Sequence, residues 1–127
     1  MRRPRFMRSS DAAAFFAPGF AHMRREALRV AHLDCRRRLI GVRLLYSDQP
    51  DALDFPLRTI IADALALESD GLILAHNHPS GNAMPSPADI DATRTLADLA
   101  QPLGIRLFDH LIFGCESYRS LRAMGLL

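Results

Sequence analysis

Two histidines separated by one residue, His76 and His78, are followed after ten intervening residues by Asp89. At an extended strand end, residues i and i+2 point to the same side, so both imidazoles can aim at one point. Pro79 cannot continue a central strand and turns the chain out at once. The loop through Pro85 then leads into a helix opening near Ser86, with Asp89 in its first turn. Two imidazoles and one carboxylate suit Zn²⁺ with a fourth position open to water, the arrangement of catalytic rather than structural zinc. Zinc lowers the pKa of such a water to about 7, which supplies a nucleophile at neutral pH. Simpler readings stand beside this one. His-x-His can be two histidines at a loop mouth. Ser86-Pro87-x-Asp89 is also a capping-box pattern, with Ser86 as N-cap and Asp89 at N3. A His-Asn-His nuclease site would need a further His or Asn on the following helix, and none stands near Asp89.

The elements that must position these residues follow from the apolar pattern. Residues 1–9 are basic and unpatterned, and are expected to be a flexible terminus. Ser10 and Asp11 cap a short helix over residues 12–16, stopped by Pro18-Gly19. Residues 27–33 alternate as a strand, with Leu28, Val30 and His32 on one face and Ala27, Arg29, Ala31 and Leu33 on the other. Residues 39–46 read as its hairpin partner, with Arg36, Arg37 and Arg38 at the turn. Residues 47–54 form a loop. Pro56 opens a helix running to about Leu67, and Gly71 is expected to close it in the left-handed conformation. Leu72-Ile73-Leu74-Ala75 reads as a strand buried on both faces. After the His-x-His loop, a helix runs from Ser86 to just before Pro102. A last strand covers residues 105–113, and a short helix is expected over 117–124. One mixed sheet packed against helices accounts for this order.

Composition bounds the rest. The 127 residues are 49% hydrophobic and 24% charged, so the chain is expected to be one globular domain that needs no staple. No run of 18 apolar residues is present, which argues against a transmembrane helix. Cys35 and Cys115 are too few for a disulfide framework, and the absence of a visible signal peptide makes the cytoplasm the default compartment. The net charge of +2 hides an asymmetry: residues 1–45 carry +8, residues 46–127 carry −6, and every basic residue is Arg. An Arg-rich half can serve a nucleic acid, but no aromatic interleaving accompanies it, so a solvated face is the preferred reading.

The run Ala75-His76-Asn77-His78-Pro79-Ser80-Gly81, then Pro85-Ser86-x-x-Asp89, resembles the RadC branch of the JAB/MPN (JAMM) metalloprotease-like domains. Leu33-Asp34 with Arg38-Leu39-Ile40 is similar to that family's first hairpin. Gly104-Ile105, Asp109-His110 and Ile112-x-Gly114 are similar to its last strand, and Tyr118-x-Ser120-Leu121-Arg122 to its terminus. The resemblance covers residues 10–127. It implies an α/β fold of MPN/JAB (cytidine deaminase-like) type, with a mixed sheet flanked by helices. It implies His76, His78 and Asp89 as Zn²⁺ ligands, Ser86 as the serine that stabilises the oxyanion, and Glu26 as the general acid/base just before the first core strand. A zinc peptidase or isopeptidase acting on a peptide or isopeptide-linked protein is the implied activity. The alternative is a non-catalytic interaction module that touches nucleic acid through its arginines. Full-length RadC-like proteins carry an N-terminal helical module suited to DNA, for which this length is expected to leave no room. Ser47-Asp48-Gln49-Pro50 replaces the family's usual Gly-Thr, and Ala27-Leu28 replaces the usual aromatic pattern after the Glu. His110 is read as a hydrogen-bonded structural residue, with contact to the metal ligands as the alternative; His22 and His32 are read as structural or surface. Asn77 and Ser80 are read as shaping the loop.

Overall fold

The computed structural model describes residues 3–21, 23–46 and 55–127. The loop expected over residues 47–54 and the position of His22 lie outside the described residues. The elements are α1 (Ser9–Phe20), β1 (Ala27–Leu33), β2 (Leu39–Tyr46), α2 (Leu57–Ala66), β3 (Gly71–Asn77), α3 (Pro87–Ala100), β4 (Arg106–Phe113) and β5 (Tyr118–Ser120). The strands form one mixed five-stranded sheet in the order β2-β1-β3-β4-β5. β1 pairs antiparallel with both β2 and β3, while β3 and β4 run parallel across the α3 crossover. No helix among the described residues is long and apolar enough to cross a membrane.

Strand alternation divides the core into two layers. Ala27, Ala31, Leu33, Ile73, Ala75, Leu111 and Phe113 pack with Phe6, Phe16 and Phe20 on the α1 side. Leu28, Val30, Leu72, Leu74 and Leu107 pack with Ile60, Ala64, Leu96 and Ala100 on the side of α2 and α3. β3 is buried along its whole length, as its apolar run requires for a strand covered on both faces.

Four local expectations give way to tertiary contacts. α1 runs through Pro18 to Phe20 instead of stopping at Phe16. Phe16 and Phe20, one helical turn apart, are both buried against the sheet, and that packing outweighs the hydrogen bond Pro18 cannot donate. The segment before α1 is tied down rather than flexible from residue 4 onward: Leu39 N–H donates to the Pro4 carbonyl at 2.8 Å, Phe6 N–H donates to Arg37, and the Phe6 ring is buried. α2 closes at Glu68, the residue with positive φ (54°), while Ser69 N–H returns to Ala64 and Glu68 N–H to Leu65. Gly71 serves another purpose: a Cβ there would lie 2.2 Å from the Phe108 ring, so the glycine lets β3 pass beneath it. Finally, the expected C-terminal helix is replaced by β5 and a series of turns. Residues 118–120 pair with Phe113, Ile112 and Leu111, satisfying the free edge of β4.

Candidate metal centre

The site forms where β3 ends, at the N-terminus of α3. His76 is the penultimate residue of β3 and points to the α2/α3 side, where it is almost fully buried (1% exposed). His78 follows beyond the strand and projects the same way, as the period of two demands. Their Nε2 atoms lie 2.9 Å apart. The loop then doubles back over the end of β4: His78 N–H donates to Phe113, and Cys115 N–H donates to the Gly81 carbonyl. Gly114 permits this crossing, since a Cβ on it would sit 2.3 Å from that carbonyl oxygen. The return brings the Asn82 carbonyl to 2.8 Å from His78 Nδ1. A carbonyl only accepts, so Nδ1 carries the proton.

Asp89 enters from α3. Ser86 caps the helix: its Oγ accepts from Asp89 N–H at 3.0 Å, and Asp89 Oδ2 accepts from Ser86 N–H at 2.8 Å. The capping box expected from the sequence therefore exists, and it does not exclude the other role of Asp89. Oδ2 of the same carboxylate lies 3.1 Å from His78 Nε2, and Oδ1 lies 3.5 Å from His76 Nε2. The cap fixes the carboxylate that faces the histidines.

Glu26 arrives from the other side. The antiparallel register pairs Leu28 with His76. Continued by two residues, it sets position 26 opposite position 78. Glu26 Oε1 lies 3.9 Å from His76 Nε2, and Glu26, His76 and His78 offer donor atoms all within 4.8 Å of one another. Asn77, read from the sequence as a loop-shaping residue, does more. It points away from the histidines, donates from Nδ2 to the Arg25 carbonyl at 2.9 Å, and accepts at Oδ1 from Ala27 N–H at 2.8 Å. Behind His76 stand two further residues: His110 Nε2 at 2.6 Å from His76 Nδ1, and Thr93 Oγ1 at 2.7 Å from His110 Nδ1. His110 is thus hydrogen-bonded, as its first sequence reading has it, and its partner is His76, as the alternative has it. His32 lies elsewhere, buried with Nδ1 against Ser69 Oγ at 2.8 Å.

Electrostatics set the protonation of the cluster. Burial raises the pKa of Glu26, and the nearby histidines only partly offset it. Burial also pushes Asp89 upward, but the imidazoles of His76 and His78 beside it outweigh that and hold its carboxyl well below the ordinary range. The hydrogen bond to Asp89 raises His78. Desolvation lowers His110 well below the usual imidazole value.

This donor set fits a divalent cation. Two imidazole nitrogens and two carboxylates come together, with the Asp89 carboxylate set directly against both imidazoles. Imidazole and carboxylate together are ligands of zinc and its neighbours in the transition series. Beside His78 a groove of about 420 Å³ opens, lined by Phe20, Met23, Pro79, Phe113 and Tyr118.

Comparison with known proteins identifies the family. The family model described as "RadC-like JAB domain" matches residues 6–126. A UPF0758 protein of Chloroflexus aggregans is 35% identical over 91% of this chain and 51% of its own length. One from Desulfitobacterium hafniense is 34% identical over 98% of this chain and 55% of its own, and one from Roseiflexus castenholzii is 33% identical over 92% and 50%. The chain thus spans about half the length of these curated relatives. With its mixed five-stranded sheet, its three flanking helices and a family match across nearly all its residues, the chain belongs to the RadC-like JAB domain family.

Proposed function

We propose that this domain is a zinc-dependent hydrolase of amide bonds, a peptidase or isopeptidase, with His76, His78 and Asp89 as the metal ligands and Glu26 as the general acid/base. One observation carries the reading: Glu26 and Asp89, 63 positions apart in sequence and on different elements, both reach the Nε2 of His76. Donors about 2.0–2.1 Å from a tetrahedral zinc are roughly 3.3 Å from one another. The two imidazole nitrogens are 2.9 Å apart, and the Asp89 carboxylate reaches one through Oδ2 at 3.1 Å and the other through Oδ1 at 3.5 Å, separations of that order. Glu26, at 3.9 Å from His76, stands farther out, at a distance that leaves room for a water between it and the ligands.

Bound zinc would polarise the scissile carbonyl and acidify the attacking water. Glu26 would take the proton of that water, hold it on its carboxylate, and pass it to the leaving amine. Burial suits it to both tasks, because a carboxyl with raised pKa gives its proton up less readily than an exposed one yet remains a base near neutrality. Ser86 Oγ already accepts from Asp89 N–H, so its own hydrogen is available to the oxyanion of the tetrahedral intermediate. The apolar groove beside His78 would take side chains of an extended peptide. The turn arginines favour this reading over nucleic-acid binding, since Arg37 lies 4.2 Å over the Phe108 ring and Arg38 pairs with Asp34 at 3.0 Å.

The test is hydrolysis of a fluorogenic peptide library, with isopeptide-linked conjugates alongside, by zinc-loaded protein. Glu26→Gln is expected to bind zinc as wild type does while turnover drops about 10²–10⁴-fold. Zinc binding with no hydrolysis of any amide by wild type would leave a metal-binding module without this activity.

A further inference from the structure

We propose that Thr93 and His110 are positioning residues that set the tautomer of His76, so that its Nε2 presents a lone pair to the metal. The proposal rests on the metal reading above and follows from counting protons along one chain of contacts.

The count starts at an atom whose role is fixed. The Asp89 main-chain carbonyl can only accept, and Thr93 Oγ1 donates to it at 2.6 Å. A hydroxyl has one hydrogen. Toward His110 Nδ1, at 2.7 Å, Thr93 Oγ1 must therefore accept, and Nδ1 of His110 carries a proton. The His110 ring is fully buried, and among the described residues its hydrogen-bond partners are a hydroxyl and an imidazole, with no carboxylate. A cation there would be an unpaired buried charge, so the ring is neutral and its Nε2 is an acceptor. The proton in the 2.6 Å contact with His76 then belongs to His76 Nδ1. That leaves His76 Nε2 unprotonated, facing His78, Asp89 and Glu26. At His78 the Nδ1 donation to Asn82 leaves Nε2 as the nitrogen facing the same point; toward the Asp89 carboxylate, which only accepts, it carries the proton that a metal would displace.

The relay starts on the backbone of Asp89 and ends on the ring of His76. Two proposed ligands on different elements are thus joined through α3 and β4 as well as through the metal they would share. Removing the Thr93 hydroxyl frees the His110 proton to move to Nε2. His76 would then have to accept at Nδ1 and carry its own proton on Nε2, where the metal belongs.

Two measurements test this. Histidine ¹⁵N spectra of the metal-free protein near neutral pH should show His76 protonated at Nδ1 in wild type and in Thr93→Ser, and shifted toward Nε2 protonation in Thr93→Val. Competition titrations with Zn²⁺ and Co²⁺ should show affinity retained in Thr93→Ser and reduced about 10–100-fold in Thr93→Val. His110→Gln offers an acceptor to His76 and a donor to Thr93, so it should bind metal more tightly than His110→Leu. Far-UV circular dichroism of each variant separates loss of fold from loss of tautomer, and the Ser/Val pair carries the test if the His110 variants do not fold. Nε2 protonation of His76 in wild type, or equal affinity in Thr93→Ser and Thr93→Val, would overturn the relay. A wild-type protein that binds neither ion would sink the metal reading instead, and the metal-free spectra would still decide the relay.

Discussion

The carboxamide of Asn77 grips the backbone on both sides of Glu26, taking the N–H of Ala27 and giving a hydrogen to the carbonyl of Arg25. The side chain stands in for a rung of the ladder at the point where β1 and β3 stop pairing. It holds Glu26, the proposed base, from the backbone, with both of its hydrogen bonds directed away from the histidines. Asn77→Ala should therefore lower turnover on the order of 100-fold, the effect of misplacing a reacting group by about 1 Å, while leaving zinc affinity near wild type. Parallel kinetics and zinc titration check this, and a fall in affinity that matches the fall in rate would assign Asn77 to the ligand cluster instead.

The two roles of Asp89 can be separated by substitution. Asp89→Asn keeps an oxygen that can accept from Ser86 N–H, so the helix cap should survive while the charged ligand is lost. Asp89→Ala should lose both, with a further loss of about 1 kcal/mol in stability from the cap. Chemical denaturation without metal should rank wild type and Asp89→Asn above Asp89→Ala. Zinc titration should find both variants impaired.

Protons and metal compete for His78. Its pKa is raised above the ordinary 6.5 by Asp89, so its contribution to the stability of the metal-free fold is complete below the unfolded value and is lost as pH rises through the folded one. Glu26, raised above 4.5 by burial, acts in the same sense at lower pH. Asp89 acts oppositely: its depressed pKa contributes stability above the ordinary carboxylate value that fades only in strong acid. From about pH 5 to 8 these two raised groups work against the metal-free fold as pH rises, while His110 and His32, whose pKa values burial lowers, work for it, and zinc affinity rises throughout because the proposed ligand nitrogens lose their protons. Melting curves with a chelator and with zinc, taken across that range, should diverge with increasing pH. Parallel curves would contradict the titration assigned to His78.

The loop crossing at Gly114 should be sensitive to a single methyl. Gly114→Ala places a Cβ against the Gly81 carbonyl, in backbone that cannot swing aside as a side chain would. The cost should be roughly 1–3 kcal/mol. Because the same loop brings Asn82 to His78, zinc affinity should fall as well, as denaturation and titration on one preparation would show.

Much of the scaffold was legible because it rests on short-range rules. The face assignment of β1 follows from strict alternation, and its two faces do enter different core layers. The Ser86–Asp89 box formed as read because a capping residue and its partner are three positions apart. The departures arise where a distant partner changes the balance. Residues 118–120 carry a weak helical pattern, but β4 presents an open edge, and pairing with it satisfies backbone groups that a short isolated helix would leave frayed. Pro18 reads as a stop until Phe20 is seen packed against Phe113 at 5.1 Å. Glu68 takes the left-handed position because Gly71 is needed elsewhere, beneath Phe108.

The sequence alone determined that two imidazoles would share one side of a strand end and that a carboxylate would open the next helix. Strand period and helix capping act over two or three residues, so neighbours suffice to specify them. Only the tertiary structure decided that Glu26 would meet that cluster, that Asn77 would hold it there, and that His110 and Thr93 would stand behind His76. Those relationships cross from 17 to 52 positions of chain and depend on the register of β1 against β3 and of β3 against β4. Register is set by the whole buried face at once, and a slip of β3 by one residue would turn His76 and Asn77 to the opposite layers.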